Sequence, residues 1–300
     1  MEFNPKVSQL GYVALETPDI EKAREYYGKM LSMTEVAKGH DGEYFLSLGY
    51  DHHNLVLKPA KQKALTCVGF QLRPGIELAT FARDVNKFGL KAAVKSDSAP
   101  GVSELVEVEG PGGHTFQFYS EIETPSPGFK DCGVHPLRLG HVAIICSDAR
   151  KLISFYQDFL GFWFTDAIGE FMNFMTCNRD HHVVNIVGTP ENRLHHMAFE
   201  LRDNASHLAA FDVLSGGGWP VQWGPGRHGP GHNIASYHYG PDQTIIEMYT
   251  EMDVLLPDRG LFEPRPWHKT LPMKPHVWAL EDTVNTWGPG FTFTSELAKA

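Results

Sequence analysis

The chain lacks the features that would point to secretion, membranes or nucleic acid. Its 300 residues include four cysteines, Cys67, Cys132, Cys146 and Cys177, and no two of them form a CxxC pair. So sparse a set suits a reducing compartment and excludes a disulfide framework as the source of stability. No apolar run approaches the roughly 18 residues needed to span a bilayer, and the opening Met-Glu-Phe-Asn-Pro-Lys has neither the charged nor the apolar region of a signal peptide. Basic residues are in deficit, with 26 Lys and Arg against 36 Asp and Glu, a net charge of −10. No basic stripe interrupts that balance, so neither nucleic acid nor an acidic membrane is the expected partner. A cytoplasmic protein acting on a small molecule is the expectation. Histidine, by contrast, is plentiful, at 16.

An internal repeat organises the chain. Leu10-Gly11-Tyr12-Val13-Ala14 falls on Leu139-Gly140-His141-Val142-Ala143, and the same offset carries Asp51-His52-His53 onto Asp180-His181-His182 and Cys67-Val68-Gly69-Phe70 onto His196-Met197-Ala198-Phe199. After one further inserted residue, Thr115-Phe116-Gln117-Phe118-Tyr119 lies over Ile245-Ile246-Glu247-Met248-Tyr249. Agreement in register over so long a stretch indicates duplication. Each half divides again into two units of a strand, a helix and several short strands. The first helix is expected to start with Thr17 as N-cap and Pro18 at its first position and to run to about Leu31, and the third unit to cap its helix with Ser147. The fold class is α+β, in two tandem domains at residues 1–122 and 137–252. Residues 123–136, rich in Pro and Gly, read as the linker, and 253–300 as a tail over the second half or a subunit contact through Trp267, Trp278 and Trp287.

The repeat singles out three positions. They are Tyr12, Cys67 and Gln117 in the first half but His141, His196 and Glu247 in the second, each on a predicted strand. Strand side chains alternate faces, so a curved sheet can bring the three onto one cavity. Two imidazoles and a carboxylate on one side of an ion form the facial triad of non-haem Fe(II) sites, and Mn(II) suits the same donors. Without a metal, burying all three would leave polar groups unpaired at a cost. In the His195-His196 pair only one ring faces the cavity, and the register with Cys67 assigns His196.

These stretches, together with Gly224-Pro225-Gly226-Arg227-His228-Gly229 and Ile246-Glu247-Met248-Tyr249, resemble the type I extradiol ring-cleavage dioxygenases of the vicinal oxygen chelate (glyoxalase/bleomycin resistance) superfamily, nearest the homoprotocatechuate 2,3-dioxygenase branch, over residues 5 to 250. The resemblance implies four βαβββ modules, curved mixed sheets around a cavity, one metal in the second half, and insertion of both atoms of O2 into a catechol, in aromatic hydrocarbon catabolism. It implies His141, His196 and Glu247 as ligands, His182 beside O2, His228 as an acid/base and Tyr239 near the substrate hydroxyl. It also implies a homo-oligomer, a tetramer by likeness to the family. Trp223, Phe174 and His232 are expected around the substrate, and His232 and His238 otherwise read as spare histidines. Trp223 stands where that branch has a carboxylate-binding arginine, and Asn285-Thr286-Trp287-Gly288 occupies the comparable tail stretch, so the expected catechol bears an uncharged, apolar substituent. The competing readings are a glyoxalase-like metal-dependent isomerase or lyase, and a non-catalytic protein that binds aromatic ligands.

Overall fold

Strands joined by short helices and turns build the computed structural model, which describes residues 3–280 and 283–288. The first half runs β1 (Val7–Thr17), α1 (Ile20–Lys29), β2 (Thr34–Lys38), β3 (Tyr44–Ser47), β4 (Leu55–Pro59), β5 (Ala64–Leu72), α2 (Leu78–Phe88), β6 (Lys91–Ala99), β7 (Val102–Glu109) and β8 (Thr115–Tyr119). The second repeats it as β9 (Arg138–Cys146), α3 (Ala149–Ser154), β10 (Trp163–Ile168), β11 (Met172–Thr176), β12 (Val184–Gly188), β13 (Arg193–Glu200), α4 (Asn204–Gly216), β14 (Val221–Arg227), β15 (Ile234–Tyr239) and β16 (Ile245–Thr250). The eight-stranded sheet has the order β2-β3-β4-β1-β5-β8-β7-β6. The second sheet has the corresponding order, β14-β15-β16-β13-β9-β12-β11-β10, and then adds β19 (His276–Trp278) beyond β10. Both are mixed sheets with few helices, the vicinal oxygen chelate arrangement.

Local chemistry explains the elements. In α2, Leu78, Phe81, Ala82 and Val85 are buried at helical spacing, and left-handed Gly89 ends the helix. α1 buries Ala23, Tyr26 and Tyr27. Its N-cap is Asp19, whose side chain accepts from the Lys22 amide at 3.1 Å, and not Thr17 as expected. Asp19 is the better acceptor at a helix start, and the Thr17 hydroxyl is engaged with Asp242 of the other half. The third unit likewise begins its helix after Asp148, one residue beyond Ser147. The glycine in each Leu-Gly-x-Val-Ala motif has a steric cause: a Cβ at Gly11 or Gly140 would lie 1.7 or 1.8 Å from the hydroxyl of Tyr119 or Tyr249.

One apolar core straddles the two halves. Phe70, Phe116 and Phe118 meet Tyr156, Phe162 and Phe155, with Phe70–Tyr156 and Phe116–Phe155 ring centroids both 6.0 Å apart. Such buried rings contribute about 1.5–3 kcal/mol each. The turns also interlock reciprocally. His114 Nε2–H donates to the Ile145 carbonyl at 2.9 Å in one direction, and the Tyr26 hydroxyl shares a hydrogen bond of 2.5 Å with His238 Nε2 in the other.

The described residues after Glu251 lie on the second half. β17 (Leu255–Leu256) pairs with β18 (Leu261–Phe262), β19 extends the sheet, and the Gly229 and Thr286 amides donate to Thr283 and Arg227 carbonyls at 2.7 Å each. Trp267 and Trp287 stack on the Arg227 guanidinium, at 4.2 and 5.1 Å.

Candidate metal centre

Three adjacent central strands carry the triad. Antiparallel β9–β13 pairing puts Ala198 opposite His141, and parallel β13–β16 pairing puts Ala198 opposite Glu247, so His196 projects from the same face one pleat away. All three side chains are buried. Glu247 Oε2 lies 3.4 Å from His141 Nε2 and 3.2 Å from His196 Nε2, and the two nitrogens are 3.3 Å apart. Charge-assisted hydrogen bonds are shorter, about 2.7–2.9 Å. A near-equilateral triangle of this size instead matches donors around one ion with bonds of about 2.1 Å. Burial raises the Glu247 carboxyl, but the charge and hydrogen bonding of His141 and His196 outweigh it and hold the group ionised, well below the usual range. Burial pushes His141 down, toward neutral imidazole. Two imidazoles and a carboxylate in a buried setting thus fit a divalent cation.

The surrounding groups fix these ligands. His195 Nδ1 is 2.6 Å from His196 Nδ1, which aims the other His196 nitrogen at the triad. Glu247 Oε1 accepts from Asn233 Nδ2 at 2.9 Å and Oε2 from the Tyr237 hydroxyl at 2.6 Å. Tyr237 also lies 2.9 Å from His228 Nε2, and Val284 O accepts from His228 Nδ1 at 2.7 Å. The tyrosine at the ligands is therefore Tyr237, not Tyr239. Both share one face of β15, but the hairpin register sets Tyr237 opposite Glu247 and Tyr239 opposite Ile245. Tyr239 instead lines a cleft between the halves, with Leu15, Lys63, Leu65, Arg193 and His195. Counting outward from the Gly240–Thr244 turn gives the right pairing, and that count was the available signal in the sequence.

The other expected residues fall into two groups. His182 is at the site, its ring 4.3 Å from that of His141, and burial, reinforced by His141, drives it well below the ordinary imidazole range. His181 turns away, toward Asp166 at 3.2 Å. Phe174 packs on His182 at 5.1 Å, and Trp223 stacks nearly parallel on His228 at 5.6 Å. His232 does not join the substrate wall. Its Nδ1 donates to Asp253 at 2.7 Å, and His268 Nε2 donates to the same carboxylate at 3.0 Å. This second buried cluster of possible ligands has hydrogen-bond spacings, unlike the triad, and clips the tail to the loop after β14. His238 is buried against Tyr26, away from the triad.

In the first half the equivalent place is filled. The Tyr12 hydroxyl donates to Gln117 Oε1 at 2.6 Å, Cys67 Sγ reaches the same oxygen at 3.4 Å, and Gln117 Nε2 donates to Glu107 at 2.9 Å. Burial pushes the Cys67 thiol up to about 12, far from the thiolate that binds metals.

Comparison with known proteins agrees with this architecture. A manganese-dependent 2,3-dihydroxybiphenyl 1,2-dioxygenase of Geobacillus genomosp. 3 is 25% identical over 248 residues, covering 75% of this chain and 78% of that one. Among solved structures, the Mn(II)-bound glyoxalase of Novosphingobium aromaticivorans superposes with a TM-score of 0.83 at 23% identity, covering 97% of this chain and 94% of that one. Homoprotocatechuate 2,3-dioxygenase of Brevibacterium fuscum does so with 0.79 at 21% identity, covering 97% and 92%. Residues 138–248 match the Glyoxalase/Bleomycin resistance protein/Dioxygenase superfamily, and that segment holds all three ligand positions. Over that segment the chain resembles this superfamily.

Proposed function

We propose that this protein is an extradiol dioxygenase, inserting both atoms of O2 into a catechol beside its hydroxyl pair to give a 2-hydroxymuconic semialdehyde-type product. The observation that carries the reading is the buried His141–His196–Glu247 triangle, with His182 against His141, Tyr237 against Glu247 and His228 against Tyr237. The name of the Geobacillus relative supports it. A bound Fe(II) or Mn(II) ion acidifies the catechol hydroxyls and gives ring electrons a path to dioxygen.

The chain's own groups do the rest. The Val284 carbonyl can only accept, so the proton of His228 sits on Nδ1. Burial keeps that ring neutral, which leaves Nε2 as a base able to take a catechol proton through the Tyr237 hydroxyl and to return it later. His182, buried beside His141, offers a positioned dipole to charge developing on oxygen. Trp223, Tyr237 and Phe174 form aromatic walls that hold the ring in plane and exclude water.

The same walls favour a catechol with a neutral, apolar substituent. Arg227, the arginine of the Gly-Pro-Gly-Arg-His loop, is already committed: it donates to the His232 carbonyl at 2.6 Å and to Glu251 at 2.8 Å, with Trp267 and Trp287 against it. A carboxylate substituent finds no two-pronged partner there. Part of the same reading are a boundary between the halves at residues 123–136, a cytoplasmic location and a homo-oligomeric, tetrameric assembly, the last checked by light scattering. The reading is tested by anaerobic Fe(II) or Mn(II) loading, then 3-methylcatechol, 2,3-dihydroxybiphenyl and homoprotocatechuate in air, following O2 and visible absorbance together. Stoichiometric O2 uptake with a yellow product, faster for the first two catechols, is expected. Bound metal without O2 uptake would overturn it in favour of an isomerase.

A further inference from the structure

A cleft between the two halves measures about 440 Å³, within the size range of small-molecule sites. Leu15, Ala64 and Leu65 of the first half line it together with His195, Tyr239 and Ile245 of the second. Lys63 Nζ, also on the lining, donates to the Gln243 carbonyl at 3.2 Å and ties the halves together there.

The face of β16 that carries Glu247 leads into this cleft. Ile245 and Tyr249 share that face, the first two residues before Glu247 and the second two residues after it. On the Tyr249 side the space is taken: its ring packs 5.2 Å from that of His141, and a Cβ at Gly140 would lie 1.8 Å from its hydroxyl. On the Ile245 side, roughly 7 Å along the strand, the lining continues. Tyr237, which donates to Glu247, packs in one apolar cluster with Ile245, Tyr239 and Trp223, and Ile245 and Tyr239 line the cleft. His195 makes the same connection on the neighbouring strand, since it lines the cleft and its Nδ1 is 2.6 Å from that of His196.

The cleft suits a neutral, apolar group. Leu15, Leu65, Leu194 and Ile245 supply aliphatic surface, and Tyr239 supplies a ring. The charges on the lining are Lys63 and Arg193 against Glu16, and Glu191 restores the balance by accepting from Arg193 Nε at 2.7 Å. A carboxylate would meet a guanidinium that is already engaged.

We propose that this cleft seats the substituent of the catechol, so that the half without the triad, through Leu15, Ala64 and Leu65, sets which substituents are accepted and favours an aryl group over methyl. The inference rests on the extradiol reading for the identity of the ligand. An aryl group extends from a metal-bound catechol over the step from Glu247 to Ile245, whereas a methyl group stops short of it. Ala64→Trp fills the cleft from an exposed position, and Leu65→Trp from a half-buried one. Affinities of the Zn(II)-loaded wild type and variants for 2,3-dihydroxybiphenyl and 3-methylcatechol are measured without oxygen by calorimetry. Equilibrium affinity is the readout because an obstruction in a mere passage slows entry and leaves affinity unchanged. The wild type is expected to bind 2,3-dihydroxybiphenyl about tenfold or more tightly than 3-methylcatechol, and each folded Trp variant to lose that preference. Equal wild-type affinities for the two catechols, or the full preference kept in Ala64→Trp, would overturn the proposal. Oxygen uptake is then followed on the Fe(II)- or Mn(II)-loaded wild type. If none occurs with either catechol, the extradiol reading fails, while loss of the preference in Ala64→Trp still supports a substituent seated in the cleft.

Discussion

Tyr237→Phe is the substitution that bears most directly on the centre, because one hydroxyl serves two groups. It donates to Glu247 Oε2 at 2.6 Å and lies 2.9 Å from His228 Nε2, in a buried setting. A hydrogen bond to a charged group contributes about 1.5–3 kcal/mol. Its loss lets the Glu247 carboxylate swing, and at about 1.4 kcal/mol per factor of ten the metal dissociation constant should rise roughly 10- to 100-fold. The proton route to His228 is cut as well, so kcat at saturating metal should drop by about 100-fold. Metal affinity is read by competition with a fluorescent chelator, and turnover by an oxygen electrode at metal concentrations that keep both proteins loaded. Tyr239→Phe is the comparison, since its ring lies opposite Ile245 and should leave metal affinity within about twofold. If Tyr237→Phe kept wild-type affinity and turnover, or Tyr239→Phe lost them, the assignment of the hydroxyl to the ligands would be refuted.

Burial depresses His53 to about 3, His207 to about 4 and His238 to about 3, so the unfolded chain binds protons first as the pH falls. Stability of the metal-free protein should therefore be steady above about pH 6.5 and decline below it, by roughly 2 kcal/mol per ring at pH 5, and urea midpoints equal at pH 7 and pH 5 would contradict this. Gly140→Ala forces a methyl into the Tyr249 hydroxyl and should lower stability by about 1–3 kcal/mol, measured by thermal melting, with Gly11→Ala matching it against Tyr119. Stripping the metal with a chelator should lower the melting temperature of the wild type but have little effect on Glu247→Ala, whose site has lost its anionic ligand; equal shifts would place the metal elsewhere.

Much of the architecture was legible because duplication compares the chain with itself. The Leu-Gly-x-Val-Ala motif and the substitution of Tyr12, Cys67 and Gln117 by His141, His196 and Glu247 located the strands and the triangle. What failed to show was whatever depends on register or on partners far along the chain. Tyr237 and Tyr239 share a face, and only the hairpin pairing separates them. His181 is turned away from the triad by Asp166, 15 residues earlier, whose partner strand has three residues and no periodicity to betray it. His232 was drawn off by Asp253 and His268, a pairing that local sequence does not encode. The helix caps moved by one or two residues because aspartates stood close to the expected Thr17 and Ser147.

The interlocking of the two halves bears on how such a chain can change over generations. The first half carries no ligand triangle, yet it supplies the aromatic layer on which Phe155 and Tyr156 rest and the turn that seats against β9. It is therefore exempt from chemical selection at Tyr12, Cys67 and Gln117 but bound by structural selection everywhere it meets its twin. Loss of the unused copy by deletion would strip the catalytic copy of a wall, so the duplicated gene is locked at double length, and the idle site is a reserve that drift can reshape without cost to the working one.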